Sequence, residues 1–197
     1  MTLCAEPDVT ASPHDLLPRR RFTVDDFHRM GEAGILAPHD RLELIEGEIV
    51  EMSPIGSRHL SVVNTLNHLL VLHAGNEAIV SVQNPVQLGD HSEPEPDLAL
   101  LTYREDRYRN ALPTAKDVLL LVEVADTSLE SDRDVKLPLY ARHEVPWVWL
   151  FDLRSDTVEV HSDPSRGAFR STRRLAGDDE LTLDALNLAV RVGELFH

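Results

Sequence analysis

The sequence predicts an α+β fold with a central mixed β-sheet and few helices. The main observation is the run LLLVEVAD (119–126), which is apolar on both faces of a strand except at Glu123 and is therefore typical of a strand covered on both sides. Apolar residues at helical spacing over 59–74 predict a helix that faces the core. Three strand-like segments between 146 and 175 predict a meander in the same sheet.

The N-terminal part of the chain combines a tail with a capped helix. Residues 1–20 contain three prolines and no periodicity, so we expect a disordered tail followed by a single domain over 21–197. Thr23 with Asp26 three residues later is a short-side-chain version of a capping box and predicts the start of a helix. Gly34 predicts the end of that helix.

Turn residues separate the next elements. Segment 41–52 alternates about a Glu-Gly pair at 46–47, which predicts a hairpin with a two-residue turn. Segment 78–88 predicts two short strands around an Asn-Pro pair. Segment 96–102 predicts a strand led by a proline, and the first position of a strand tolerates that residue.

Two later segments are less regular. Residues 130–142 predict a helix, but Pro138 should kink or shorten it, because proline lacks the amide hydrogen and its ring clashes with the preceding turn. The leucines of 181–188 fit either a strand or a turn of helix, and the pattern does not decide between these alternatives.

Composition and charge argue against several classes of protein. The 197 residues carry a formal net charge of −15, which argues against tight non-specific binding to nucleic acid because Lys and Arg bind phosphates. The one cysteine, Cys4, excludes a disulfide framework within the chain and fits a reducing cytoplasm. No apolar run approaches the ~20 residues of a membrane helix and no secretory signal is visible, so we expect a cytoplasmic protein without membrane contact.

Glu123 lies in the middle of the most apolar strand and requires a partner. A lone ionised carboxylate there would cost several kcal/mol, so a cation, a metal or hydrogen-bond donors must compensate it. Asp97 lies near the start of the 96–102 strand and could meet Glu123 if the two strands are neighbours in the sheet. Two facing carboxylates without histidine or thiolate suit Mg²⁺ or Mn²⁺. The alternatives are a simple ion pair for Glu123 and a turn-capping role for Asp97.

A lysine on the following helix is the third candidate. Lys136 lies 13 residues after Glu123 and shares a helix face with Tyr140, because the two are four residues apart. A helix packed back onto the sheet could point this lysine at the carboxylate pair. The alternative is an exposed helical lysine.

Four motifs occur in the order LELIEGEIVEMSP, PDLALL, LLLVEVADTS and DRDVKLPLYARHEVPWVWLFD. Over roughly residues 20–195, this order resembles the putative restriction endonuclease family of the PD-(D/E)XK nuclease superfamily. The resemblance implies a restriction-endonuclease-like fold in which Asp97 and Glu123 bind a catalytic Mg²⁺ or Mn²⁺. The superfamily lysine usually stands two residues after the glutamate, where this chain has Ala125, and Lys136 matches the lysine that the family carries on the next helix.

The resemblance also implies a role for a further glutamate. The early glutamate of the family matches Glu43, as a metal ligand or as a residue behind the ligands, although Glu46 and Glu48 are close alternatives. The chain departs from the family pattern in two places. Glu-Val stands at 144–145 where the family usually has Gly-Val, and Val-Trp stands at 148–149 where it has Tyr-Trp. We interpret both departures as packing changes.

Together with these residues, the resemblance implies a metal-dependent endonuclease that hydrolyses DNA phosphodiester bonds. The ion would lower the pKa of a bound water, and Lys136 would orient that water or neutralise nearby charge. The main alternative is a catalytically inactive nuclease-fold protein that binds a protein or nucleic-acid partner, which the net charge of −15 favours. A third is a metal-dependent phosphoesterase acting on small substrates. Nucleases of this fold often pair to cut two strands, so the resemblance leaves a homodimer open.

Other polar residues give weaker signals. Groups of arginines at 19–21, 104–109 and 173–174 could contact a nucleic-acid backbone or simply keep the protein soluble. The ten histidines show no metal-binding spacing, and we expect them, including His59 at the start of the long helix, to lie outside the cleft.

Overall fold

The computed structural model describes residues 18–37 and 39–196, so most of the predicted tail (1–20) lies outside the described residues. The strands are β1 (Leu42–Ile45), β2 (Glu48–Glu51), β3 (Ala78–Val82), β4 (Leu98–Thr102), β5 (Val118–Ala125), β6 (Trp147–Asp152), β7 (Thr157–Ser165), β8 (Ala168–Ala176), β9 (Glu180–Leu183) and β10 (Leu188–Arg191). The helices are α1 (Val24–Glu32), α2 (Ser57–Ala74), α3 (Leu129–Ser131) and α4 (Leu137–Arg142). Among these helices, none combines the length and apolar character needed to cross a bilayer.

A mixed six-stranded sheet forms the centre of the fold, with the strand order β3-β4-β5-β6-β7-β8. Strands β5 and β6 are parallel and the other neighbours are antiparallel. Strands β6, β7 and β8 form the predicted meander. The predicted fold class, an α+β arrangement with a central mixed sheet, is therefore confirmed.

Strand β5 is covered on both faces, as its apolar pattern predicts. Val122 and Val124 belong to the core beneath α2 and the C-terminal hairpin β9-β10. Leu121 and Ala125 belong to a second core beneath α4. Glu123 shares the second face with its i±2 neighbours, so its carboxylate lies under α4 rather than in solvent.

Local capping and turn chemistry explains the N-terminal elements. The Thr23 hydroxyl accepts the Asp26 N–H at 3.1 Å, and the Asp26 carboxylate accepts the Thr23 N–H at 3.2 Å, so the predicted capping box opens α1. Glu46 and Gly47 have φ angles of 50° and 83°, the left-handed pair that a two-residue hairpin turn requires. The predicted hairpin of β1 and β2 is therefore confirmed.

The prediction of two strands over 78–88 was half wrong. Residues 78–82 form β3, but the N–H groups of Val86, Gln87 and Leu88 donate to three separate carbonyls, those of Pro94, Pro113 and Ser92. A strand ladder needs one continuous partner, so this segment contributes only an isolated bridge. The 181–188 segment contains both proposed alternatives, since β9 leads through a 3₁₀ turn into β10.

The helical segment around Pro138 is interrupted in the way the proline requires. A π-helical turn, Asp132–Lys136, lies between α3 and α4 and includes a hydrogen bond from the Leu137 N–H to the Asp132 carbonyl. Pro138 then sits in the first turn of α4, directly after the π turn, where a residue without an N–H is tolerated better than in the middle of an α-helix. The π turn widens the helix where it passes over the sheet.

The turn that ends helix α4 places a non-glycine residue in a left-handed backbone conformation. The Val145 N–H donates to the Tyr140 carbonyl at 3.1 Å and the Glu144 N–H to the Ala141 carbonyl at 3.2 Å, which together form a Schellman motif. Its left-handed position, with a φ of 59°, is occupied by Glu144, whereas this position favours glycine.

Replacing this residue should therefore stabilise the fold. We expect Glu144→Gly to raise the free energy of unfolding by about 0.5–1 kcal/mol, because the left-handed conformation costs an L-residue more than glycine loses in backbone entropy. Urea denaturation of both proteins measures the change. An unchanged or lower midpoint would show that the exposed Glu144 side chain makes a compensating interaction.

Candidate active site

The pairing of β4 with β5 brings the two predicted metal ligands together. The strands are antiparallel with Leu98 opposite Val122, so Asp97 and Glu123 are the next residues in register. The Val124 N–H donates to Asp97 Oδ2 at 2.8 Å and ties the aspartate to the β5 backbone. The predicted convergence of these two carboxylates is therefore present.

Lys136, in the π turn, also contacts Glu123. Its Nζ lies 3.3 Å from Glu123 Oε1 and 3.1 Å from Glu43 Oε2, and only 11% of its side chain is exposed. Burial alone would lower the pKa of Lys136, but the carboxylates of Glu123, Glu43 and Asp132 outweigh it and raise the pKa. The ammonium is therefore charged and lies among acids, rather than exposed as the alternative supposed.

Burial has the largest effect on Glu123. The pKa of this carboxyl is raised to about 8, mainly by burial, with smaller increases from the charges of Asp132 and Asp97. Lys136 and the hydroxyl of Tyr140, which donates to Glu123 Oε1, act in the opposite direction. Lys136 and Tyr140 thus contact the same carboxylate oxygen, as their shared helix face predicts.

Glu43 and Glu46 lie in different environments. Glu43 in β1 is buried, and its Oε2 accepts the Glu95 N–H at 3.2 Å as well as contacting Lys136. Glu46 lies in the hairpin turn and pairs with Arg142 at 2.6 Å on the surface. Of the two, Glu43 is therefore the glutamate that belongs to the buried cluster.

Three residues at this site were not predicted from the sequence. His59 Nε2 lies 3.0 Å from Asp97 Oδ1, so the expectation that His59 lies outside the cleft was wrong. Gln83 Nε2 donates to the same Asp97 oxygen at 3.2 Å. Asp132 is buried and accepts a hydrogen bond from Ser128 Oγ at 2.7 Å, and burial raises its pKa. No sequence spacing links the first two to Asp97, whereas the position of Asp132 four residues before Lys136 was a usable signal.

The cluster lies at the base of an acidic cleft of about 430 Å³. Nine carboxylates line this cleft, those of Glu43, Glu46, Glu48, Glu51, Glu95, Asp97, Glu123, Asp126 and Asp132. The lining cations are Arg21, Arg41 and Lys136. Of the arginine groups predicted as backbone contacts, only Arg21 lines the cleft, so the described arginines do not form a basic floor there.

The donor set suits a magnesium-type ion held mainly by substrate and water. Within 18–37 and 39–196, no group of three or more His, Cys, Asp or Glu side chains is arranged to hold a metal. Asp97 and Glu123 supply two carboxylates, and Mg²⁺ commonly binds through one or two carboxylates, waters and substrate phosphates. Burial is the main cause of the raised pKa of Glu123, the charges of Asp132 and Asp97 add to it, and a bound cation would oppose all three.

A mixed sheet flanked by helices, with paired carboxylates and a lysine at one cleft, fits the restriction-endonuclease-like fold of nucleases. The chain belongs to the Uma2 family, described as "Putative restriction endonuclease", whose family model matches residues 24–193. A crystal structure of a putative nuclease belonging to DUF820 from Anabaena variabilis superposes with a TM-score of 0.74 at 18% identity. The match covers 89% of this chain and 97% of the other. No curated protein matches the chain.

Proposed function

We propose that this protein is a Mg²⁺- or Mn²⁺-dependent endonuclease that hydrolyses DNA phosphodiester bonds. The observation that carries this proposal is the buried Lys136 ammonium, 3.3 Å from Glu123, the residue next in register to Asp97, in a chain of the Uma2 family. Charged groups packed this closely cost stability, so their retention favours a chemical role over a structural one.

The carboxylates of Asp97 and Glu123 would hold the divalent ion. Among the described residues, Lys136 and Tyr140 both contact Glu123 through Oε1, which leaves Oε2 as the oxygen to face a cation. Asp97 Oδ2 accepts the Val124 N–H, which fixes the plane of that carboxylate toward β5. When bound, the ion would supply a water of lowered pKa and offset charge on the phosphate.

Lys136 would place positive charge beside the scissile phosphate and orient the attacking water. Its compact ammonium suits this task, and the acids around it keep it protonated. Glu43 would act through Lys136 as a positioning residue, because its Oε2 contacts the ammonium and the Glu95 N–H. Tyr140 would hold Glu123 in one rotamer through its hydroxyl.

The second candidate is an inactive nuclease-fold protein that binds a partner. The nine carboxylates of the cleft and the net charge of −15 favour this alternative, because both repel a DNA backbone. A metal-dependent phosphoesterase with small substrates would tolerate the same charge better. A homodimer and a cytoplasmic location remain predictions.

Cleavage of supercoiled plasmid tests the proposed function. We expect nicking or linearisation with Mg²⁺ or Mn²⁺, none with EDTA, and a loss of at least about 100-fold in Asp97→Asn, since an ion contributes several kcal/mol of transition-state stabilisation. Asp163→Asn is a matched control, because Asp163 pairs with Arg170 at 2.7 Å and does not line the cleft.

The outcomes separate the candidates. Mn²⁺ binding without cleavage of duplex, single-stranded or nicked DNA would favour the binding protein. Hydrolysis of bis(p-nitrophenyl) phosphate without DNA cleavage would favour the small-substrate phosphoesterase. Equal cleavage by wild type and Asp97→Asn would contradict a role for Asp97 in either enzyme.

A further inference from the structure

Three groups from three separate elements surround the Asp97 carboxylate. The Val124 N–H of β5 donates to Oδ2 at 2.8 Å. The Gln83 side-chain amide, just after β3, donates to Oδ1 at 3.2 Å. His59 Nε2, in the first turn of α2, lies 3.0 Å from the same oxygen. The backbone contact is a consequence of strand pairing, but the two side-chain contacts need another explanation.

Gln83 makes two hydrogen bonds to Asp97. Its backbone N–H donates to the Asp97 carbonyl at 3.1 Å, and its side chain donates to the carboxylate. The φ of Gln83 is 48°, in the left-handed region that a non-glycine residue enters at a cost of about 1 kcal/mol or more. Such strain persists where surrounding contacts determine the conformation, and both contacts here are to Asp97.

The position of His59 also carries a cost in free energy. Only 12% of its side chain is exposed, and its Nδ1 is buried without a hydrogen-bond partner in the described part of the chain. An unpaired buried nitrogen costs about 1–3 kcal/mol, so packing alone does not explain a histidine at this position. The compensating feature is the contact of its other nitrogen with Asp97.

We propose that Gln83 and His59 are positioning residues that fix the Asp97 carboxylate in its cation-binding orientation. This inference rests on the proposed role of Asp97 as a metal ligand. Together with Val124, the two side chains restrain both oxygens of the carboxylate and leave it one rotamer. Groups that orient a ligating carboxylate in this way strengthen ion binding without touching the ion.

Calorimetric titration of the full chain with Mn²⁺ tests this inference independently of cleavage. We expect His59→Ala and Gln83→Met to weaken Mn²⁺ binding by about 10–100-fold, the usual effect of removing such a group. His59→Gln should recover most of the affinity, because its amide nitrogen reaches about as far as Nε2. Asn84→Ala is the matched control, since Asn84 donates to Ser81 and Val82 and not to Asp97.

Each outcome bears on one proposal in particular. If His59→Ala and Gln83→Met fold, by circular dichroism, and bind Mn²⁺ as tightly as wild type while Asp97→Asn does not, the positioning role is wrong and the metal site stands. Equal weakening by His59→Ala and His59→Gln would also overturn it. A wild-type chain that binds no Mn²⁺ overturns both proposals. Weakened Mn²⁺ binding in a protein that cleaves no DNA supports the positioning role and contradicts only the nuclease.

Discussion

Lys136→Met should lower the free energy of unfolding by about 3–5 kcal/mol at pH 8.5, above the pKa of Glu123, because it leaves buried acids without their cation. The ammonium lies within 3.3 Å of both Glu43 and Glu123, and all three side chains are almost fully buried. Methionine fills a similar volume, so the loss reports charge rather than a cavity. Urea denaturation in EDTA measures this effect without interference from metal binding.

The chain contains a matched control for this experiment. Lys116 is the only other lysine, and it is exposed in a 3₁₀ turn before β5, so Lys116→Met should change stability by less than about 0.5 kcal/mol. Adding Glu123→Gln to Lys136→Met should restore part of the loss, since one uncompensated acid is removed. Equal effects of the two lysine substitutions would contradict the ion-pair arrangement.

The sequence was sufficient for the parts of the site that follow from periodicity. The continuous apolar run over 119–125 predicts a strand buried on both faces, and the charged residue within it must have a partner, which identifies Glu123. The helical i,i+4 spacing predicts that Lys136 and Tyr140 share a face, and both contact Glu123. Local patterns thus set which side chains could meet.

The remaining contacts depend on tertiary placement that no local pattern records. His59 reaches Asp97 because the first turn of α2 lies over the edge of β4, and Gln83 does so because β3 ends beside that strand. His59 and Gln83 each contact Asp97 through one side-chain nitrogen, and the packing of α2 and β3 determines whether that nitrogen is close enough. Tertiary placement also explains why 86–88 is not a strand. Its three N–H groups donate to carbonyls of three different residues.

The charges of the site connect stability to the proposed chemistry. Glu43, Glu123 and Asp132 are buried around one lysine, so the cluster holds more negative than positive charge. Burial is the largest cause of the raised pKa of both Glu123 and Asp132, and neighbouring carboxylates add to it. Selection for stability alone would favour replacing one of these acids, whereas the proposed cation site would need them. The metal-free fold should therefore gain stability when the most strongly affected acid is neutralised.

Glu123→Gln should stabilise the metal-free protein by an amount that grows with pH. Folded Glu123 keeps its proton until about pH 8, whereas the unfolded chain releases it near 4.5, so its contribution to stability is complete below 4.5 and is lost as pH rises toward 8. Glutamine has no proton to lose, and its side-chain oxygen can still accept the Tyr140 hydroxyl. The difference in unfolding free energy should reach a few kcal/mol, since each pKa unit corresponds to about 1.4 kcal/mol.

Urea denaturation in EDTA at pH values from 4.5 to 8.5 measures this difference. Glu130→Gln, an exposed position on α3, controls for the loss of one negative charge and should show no such growth. A difference between Glu123→Gln and wild type that stays constant across the interval would mean that Glu123 is ionised in the folded protein throughout. Lys136 and Tyr140 would then compensate its charge fully, and the cluster would have no excess acid for a cation to neutralise.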